Sequence, residues 1–212
     1  MSSHPPRAPL RLFLTNAQIR HTWLTTDDGA LVYKVATNTF WTEVAISKSE
    51  RGAPDVLLAT IAPHSFHPDT ITMNGDEREA KQWLVQDGWW RRVWQQLIGS
   101  DTLWRRTWTA KSGRTYTWSW FAVDRGFFRR VLKREWVLVD ANTGGEVAHV
   151  HRQFLEVTEG KHDRYLELVD GSAWAELDEI IIAFVYAAQQ QERLNAGNAS
   201  TQAGQIQINV GN

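Results

Sequence analysis

The residues best suited to chemistry are arginine pairs that follow aromatic residues. Trp89-Trp90 precede Arg91-Arg92, Trp104 precedes Arg105-Arg106, and Phe127-Phe128 precede Arg129-Arg130, with Lys133 and Arg134 just beyond. Interleaved Arg and Trp suit phosphate head groups at a membrane surface, or a single-stranded nucleic acid whose bases stack on the rings. A plainer explanation competes. Alternate residues of a strand face opposite ways, so one Arg of each pair goes to solvent while its neighbour stacks on a Trp as a cation–π pair. The segment 88–98 is the strongest surface candidate, because its basic residues share a short amphipathic stretch with three Trp. It serves equally well as a helical plug over one end of a barrel.

Histidines supply a second set. His64 and His67 lie in Pro63–Asp69, and His149 and His151, at i and i+2, share one strand face. Four imidazoles and Asp69 make a metal site only if the two segments meet, and isolated His pairs are commonly structural or solvent-facing. No metal and no cofactor are expected. Catalysis has little support. Gly-x-Ser-x-Gly, His-Glu-x-x-His, a Walker loop and a dinucleotide fingerprint are all missing from the sequence. Asp178 and Glu179 are adjacent on a helix and point about 100° apart, which is poor geometry for an acid/base pair. Asp27-Asp28, Glu135 and Glu167 have no evident partner.

Such residues need a scaffold. The chain has 212 residues, enough for one larger all-β domain, and its hydrophobic content of 42% supports a real core. Lys+Arg number 23 and Asp+Glu 24, for a formal charge of −1. That balance gives no global pull toward nucleic acid or anionic membrane, so binding of either kind needs a local patch, and nucleic acid is not the expected partner. The absence of cysteine removes disulfides, thiolate metal sites and Cys nucleophiles, and fits a reducing compartment. No apolar signal region opens the chain, which suggests a cytoplasmic protein, with a membrane periphery or the nucleus as further locations. The 12 tryptophans each bring large area and an N–H that needs a partner.

Strand-like segments dominate from Leu10 onward. The hairpin at Lys111-Ser112-Gly113 is the clearest, since a three-residue loop ending in Gly fits a type I turn with a G1 bulge. Its register pairs Trp108 with Tyr116, Arg106 with Trp118 and Trp104 with Trp120 on one face. Thr107, Thr109, Thr115 and Thr117 fall on the other, the pattern of a half-buried sheet. Asp27-Asp28-Gly29 and Asn142-Thr143-Gly144 mark similar hairpins. The region 76–99 is read as a break in this rhythm, with one or two short helices, because Glu77-Arg78-Glu79-Ala80-Lys81 are good helix formers.

From Ile180 to Ala188 every residue is apolar or aromatic. A surface helix shows polar residues every three or four positions, and a membrane span needs about 20 apolar residues. No transmembrane span is therefore expected. The stretch reads as a helix over about 173–194, buried on all sides, with Ile181, Phe184 and Val185 in its core, preceded by a capping Asp170-Gly171-Ser172 turn. Residues 1–9 and 195–212 read as a disordered start and a flexible tail flanking one domain, 10–194.

Four stretches in this order carry a family resemblance: the Asp-Asp-Gly-Ala-Leu-Val-Tyr-Lys-Val hairpin at 27–35, Lys111–Trp118, Asp140–Ala148, and the helix Leu177–Phe184. Across 10–194 the chain resembles the tubby-like barrel superfamily, which includes plant LURP-one-related proteins and phospholipid scramblases, and within it a fungal family of uncharacterised proteins. The resemblance implies a mainly β fold: a closed antiparallel β-barrel of about a dozen strands around a hydrophobic C-terminal helix. Tubby proteins bind phosphoinositides through a basic surface. No long basic cluster here matches that site and no scramblase calcium segment is evident, so neither function carries over residue by residue. The expectation is a non-enzymatic binding module for anionic lipid head groups at a membrane surface. A protein-interaction or structural barrel without a small ligand is the second reading, and an enzyme with an unrecognised site the third. The candidate lipid or phosphate contacts are Trp89, Trp90, Arg91, Arg92, Arg129 and Arg130.

Overall fold

The computed structural model describes residues 9–208, apart from 17, 41, 65–66, 87–101, 125–131, 152–154, 157–159 and 162–163. Hairpins build most of it, in chain order: β1 (Leu10–Leu14), β2 (Thr22–Thr25), β3 (Leu31–Thr37), β4 (Val44–Lys48), β5 (Val56–Ala62), β6 (Thr70–Met73) and β7 (Asp76–Glu79). One helical turn, α1 (Ala80–Trp83), leads to β8 (Val85–Gln86), β9 (Thr102–Thr109), β10 (Thr115–Asp124), β11 (Leu132–Asp140) and β12 (Glu146–His151). The short β13 (Leu155–Glu156) and β14 (Gly160–Lys161) pair only with each other, before β15 (Tyr165–Leu168), a 3-10 segment Gly171–Glu176 and the long helix α2 (Leu177–Ile208).

Thirteen strands form one antiparallel sheet in the order β7-β6-β5-β4-β3-β2-β1-β15-β12-β11-β10-β9-β8. Alternation sets its inner face. Leu12 and Leu14, Val44 and Ile46, Ala59 and Ile61, Leu166 and Leu168 are buried, while residues between them reach outward. The β9–β10 register pairs Trp108 with Tyr116, Arg106 with Trp118 and Trp104 with Trp120, as the turn length predicts. On the opposite face the hydroxyls of Thr107 and Thr117 are 2.9 Å apart and those of Thr109 and Thr115 3.2 Å apart. Gly113 sits at φ 87°, the left-handed position that the turn requires.

Every residue from Ile180 to Gln189 is buried. A helix lying on one face of a sheet leaves its far side in water, so the sheet must curl round this one. Phe184 meets Trp118 at 5.5 Å between ring centroids, and Ile181, Phe184 and Val185 are fully buried. Each such side chain contributes about 2 kcal/mol of apolar burial. The edge strands β7 and β8 are consecutive in the chain, linked by α1 and Leu84. No backbone hydrogen bonds join β7 to β8 among the described residues. In that link Trp83 is buried and packs on Trp108, ring centroids 6.2 Å apart.

Two expectations need correction. Asp76–Glu79 is a strand rather than the start of a helix, and within 76–86 the helix is confined to Ala80–Trp83. Asn74-Gly75, both with positive φ, makes a two-residue hairpin turn that pairs β7 with β6. This pairing outweighs the helix propensity of Glu77-Arg78-Glu79. The helix expected over 173–194 begins as a 3-10 turn at Gly171 and continues to Ile208, through residues read as a flexible tail. Alanine and glutamine are frequent there, and neither Gly197 nor Gly204 costs enough to stop an already nucleated helix. Of the disordered start expected at 1–9, residues 1–8 lie outside the described residues.

Candidate functional site

Antiparallel pairing divides the connections between two ends of the sheet. At the end where α2 begins lie 26–30, 49–55, Asn74-Gly75, 110–114 and 141–145. At the end where its buried part finishes lie 15–21, 38–43 and 63–69. Register assigns two further crossings to this exit end. Gln86 pairs with Arg106, so the chain leaves β8 there and re-enters at Thr102. Thr102 in turn pairs with Phe121, and Asp124 with Leu132. The chain therefore departs for 87–101 and for 125–131 from neighbouring strand ends at the same end of the sheet. Trp89, Trp90, Arg91 and Arg92, and likewise Arg129 and Arg130, lie outside the described residues. Phe40, in the 38–43 connection at this end, is 83% exposed, a high value for so large an apolar ring.

Buried polar contacts brace the exit end. Asp69 is buried and accepts from Arg193 at 3.1 and 3.2 Å, from Gln190, and from the His64 backbone N–H at 2.8 Å. Glu192 accepts from the Ile19 backbone at 3.0 Å and pairs with Arg20 at 3.5 Å. Two loops are thereby locked to α2. Burial first, and then the charge of Asp69, push the Tyr186 phenol up to about 12.

The histidines fall in separate places. His64 and His67 are exposed on the β5–β6 connection. His149 and His151 stack at 4.6 Å on β12, and His151 stacks on Tyr165 of β15 at 4.4 Å. His149 is 3.4 Å from Glu146, and His151 is 3.0 Å from Glu167. Glu167 also accepts from Arg11 at 3.0 Å. Burial opposes its ionisation, but hydrogen bonds from Arg11 and His151 hold its carboxyl below the usual range. These contacts make a braced outer face across β1, β15 and β12. Among the described residues no group of three or more His, Asp or Glu could hold a metal ion.

The opposite, entry end carries a denser polar constellation. Asp170 caps the 3-10 segment by accepting from the Ser172 backbone at 2.9 Å, as the Asp-Gly-Ser sequence predicts. Arg114, just past the Gly113 turn, donates to Asp140 at 3.1 Å, Asp170 at 2.9 Å and the Ser172 hydroxyl at 2.8 Å. Backbone N–H groups of Asn142 and Thr143 complete the Asp140 carboxylate. Backbone and Arg114 hydrogen bonds hold Asp140 below the ordinary carboxylate range. Burial works against Asp170, yet Ser172 and Arg114 overcome it and lower that group too. Nearby, Asp178 accepts from the Tyr33 hydroxyl at 2.5 Å and meets Lys48 at 3.0 Å, and Glu179 accepts from the Lys111 backbone at 3.3 Å.

Beside Asp178 and Glu179 lies a cavity of about 270 Å³. Leu58, Met73 and Ile182 give it an apolar wall, and Asn74, Lys111, Ser112, Glu176, Asp178 and Glu179 a polar one. Glu176 is only 7% exposed, and its Oε2 has no hydrogen-bond partner among the described residues. Sequence reasoning missed Arg114, Asp140, Glu176 and this cavity. The one available signal was the collection of charged residues just beside the hairpin glycines.

Together the described residues define a mainly β protein, one antiparallel sheet packed on a buried C-terminal helix, with polar constellations at its two ends and no helix long and apolar enough to cross a membrane among them. A family model described as a family of unknown function, DUF6593, matches residues 16–193, and the chain belongs to that family. No curated protein matches it. Among solved structures, one of an Arabidopsis thaliana protein is similar at 14% identity, over 82% of this chain and 88% of that one, with a TM-score of 0.37.

Proposed function

We propose that this protein is a non-enzymatic binding module for anionic lipid head groups at a membrane surface, working from the exit end of a closed, helix-filled barrel. On this reading β7 and β8 meet over α1 to close the sheet, and the chain shares the tubby-like architecture of the LURP-one-related proteins and scramblases. One observation carries the functional part: register brings the chain into and out of both arginine–aromatic segments at one end of the sheet, where Phe40 already stands exposed. Residues from those segments, Trp89, Trp90, Arg91, Arg92, Arg129 and Arg130, then supply cations for lipid phosphate and rings for the interface. The filled interior supports the same reading, since a helix buried on all sides leaves a ligand the outside or the ends.

Co-sedimentation with phosphatidylserine-containing vesicles tests it. Wild type binds at low ionic strength and is released by salt, because surface attraction is screened beyond a Debye length of about 8 Å at 0.15 M. Arg91→Glu with Arg92→Glu abolishes the binding. Wild-type protein that ignores the vesicles, or binds neutral ones equally, rules the reading out in favour of a protein-interaction barrel.

A further inference from the structure

We propose that acid strengthens lipid attachment at the exit end, because His21, His64 and His67 change the rim around Phe40 from net negative to net positive as they take up protons. This rests on the membrane reading above and adds its regulation. Three exit-end connections stand side by side, since β6, β5, β4, β3, β2 and β1 are neighbours in that order. The first, 63–69, joins β5 to β6, the second, 38–43, joins β3 to β4, and the third, 15–21, joins β1 to β2. Neighbouring strands lie about 4.8 Å apart, so successive connections are about 10 Å apart along the rim. Phe40, 83% exposed, occupies the middle one. His64 and His67 flank it on one side and His21 on the other, and all three are exposed. The entry-end connections contain no histidine.

The charges facing these imidazoles nearly cancel. On the adjoining elements Arg20 pairs with Glu192 at 3.5 Å, Arg193 with Asp69 at 3.1 Å, and Lys81 with Glu79 at 3.1 Å. Glu43, exposed on the Phe40 connection, makes no ion pair among the described residues. With neutral imidazoles this part of the rim therefore carries one net negative charge, which an anionic lipid surface repels. An exposed imidazole gains a proton between about pH 8 and pH 5. Three such gains reverse the sign and leave the Phe40 ring between positive groups. His149 and His151 differ, because they meet Glu146 and Glu167 on the outer face, where a gained charge is offset on the spot. One cation close to an anionic bilayer is worth about fivefold in affinity, so three are worth at least about tenfold even when some stay clear of the surface.

Co-sedimentation of the full chain with phosphatidylglycerol-containing vesicles at about pH 7.5 and about pH 5.5 tests the proposal, since that head group keeps its charge while imidazoles gain theirs. Wild type binds at least about tenfold more tightly at the lower pH. With His21→Gln, His64→Gln and His67→Gln combined, the affinities at the two pH values agree within about twofold. With Arg at the same three positions the charge is permanent, and binding at the higher pH reaches the wild-type acid value. The Arg variant decides if the Gln variant does not fold. Wild-type binding that is equal at the two pH values overturns this proposal and leaves the membrane reading standing. A Gln variant that keeps the acid gain overturns it too, as does an equal acid gain on neutral phosphatidylcholine vesicles. Wild type that ignores anionic vesicles at both pH values sinks the membrane reading and this proposal with it.

Discussion

The hydroxyl of Tyr33 donates to the carboxylate of Asp178 at 2.5 Å, tying β3 to the first turn of α2 across 145 residues of sequence. The same carboxylate meets Lys48, the last residue of β4, at 3.0 Å. An acid in the first turn of a helix is favoured by the helix dipole. Here it also draws two neighbouring strands to the helix start. Tyr33→Phe removes one charge-assisted hydrogen bond and leaves the ring, so it lowers stability by about 1–2 kcal/mol in urea unfolding with an unchanged m-value.

Alkaline pH acts through the phenols. Burial and then Asp178 raise the Tyr33 phenol far above its ordinary value, burial and Glu176 raise Tyr116, and Tyr186 rises to about 12. Each folded value lies above the unfolded one. The native state therefore keeps protons that the unfolded chain releases above about pH 10. Stability from these groups is complete below that pH and is lost as pH rises toward the folded values. Absorbance titration at alkaline pH reads it: these three phenols ionise late and together with unfolding, whereas early, reversible ionisation of all four tyrosines in folded protein contradicts the assignment.

Arg114 contributes to the acid limb. Backbone N–H groups and then Arg114 hold Asp140 low, and against its burial Ser172 and then Arg114 hold Asp170 low, so the stability they provide is present above the unfolded carboxylate range and disappears as pH falls through the folded values. Arg114→Gln keeps some hydrogen bonds and loses the charge. Its acid-unfolding midpoint moves upward by about half to one pH unit, while stability near neutral pH falls as well. Circular dichroism across an acid titration measures both.

Ile181 reports on the buried helix. It is fully buried in a stretch with no exposed side. Ile181→Asp places a charge where neither water nor partner is available and prevents folding. Ile181→Val removes one methylene and costs about 1 kcal/mol. Native-like thermal unfolding of the Asp variant would contradict an enclosed helix.

Phe40 separates surface binding from stability. Because the ring is 83% exposed, Phe40→Ser leaves the melting temperature within about 1 °C. The same change weakens vesicle binding several-fold if the exit end faces the membrane. Unchanged vesicle binding assigns Phe40 no part in it.

Local patterns in the sequence determined much of this protein. Nine consecutive apolar or aromatic residues at 180–188 specify a helix without a wet side, because no rotation about its axis offers a polar face to water. A three-residue turn ending in Gly113 specifies the β9–β10 register, since strand alternation has a period of two and one turn geometry fixes every pair beyond it. Asp170 announced itself as a cap for the same short-range reason. Other features were visible yet outweighed. Glu77-Arg78-Glu79 favours helix locally but becomes strand, because Asn74-Gly75 delivers it to an unpaired sheet edge.

What only the tertiary structure decided depends on residues far apart in the chain. Arg114 joins Asp140 to Asp170, Asp69 receives Arg193, and Glu176 keeps a buried oxygen with no partner among the described residues. None of these has a spacing that sequence can reveal, since each is set by how the sheet curls and where α2 enters and leaves it. Local hydrogen bonds and side-chain periodicity act over a few residues and are written in order along the chain. Which charges meet at the ends depends on how the strands and the helix pack together, and only the folded molecule supplies it.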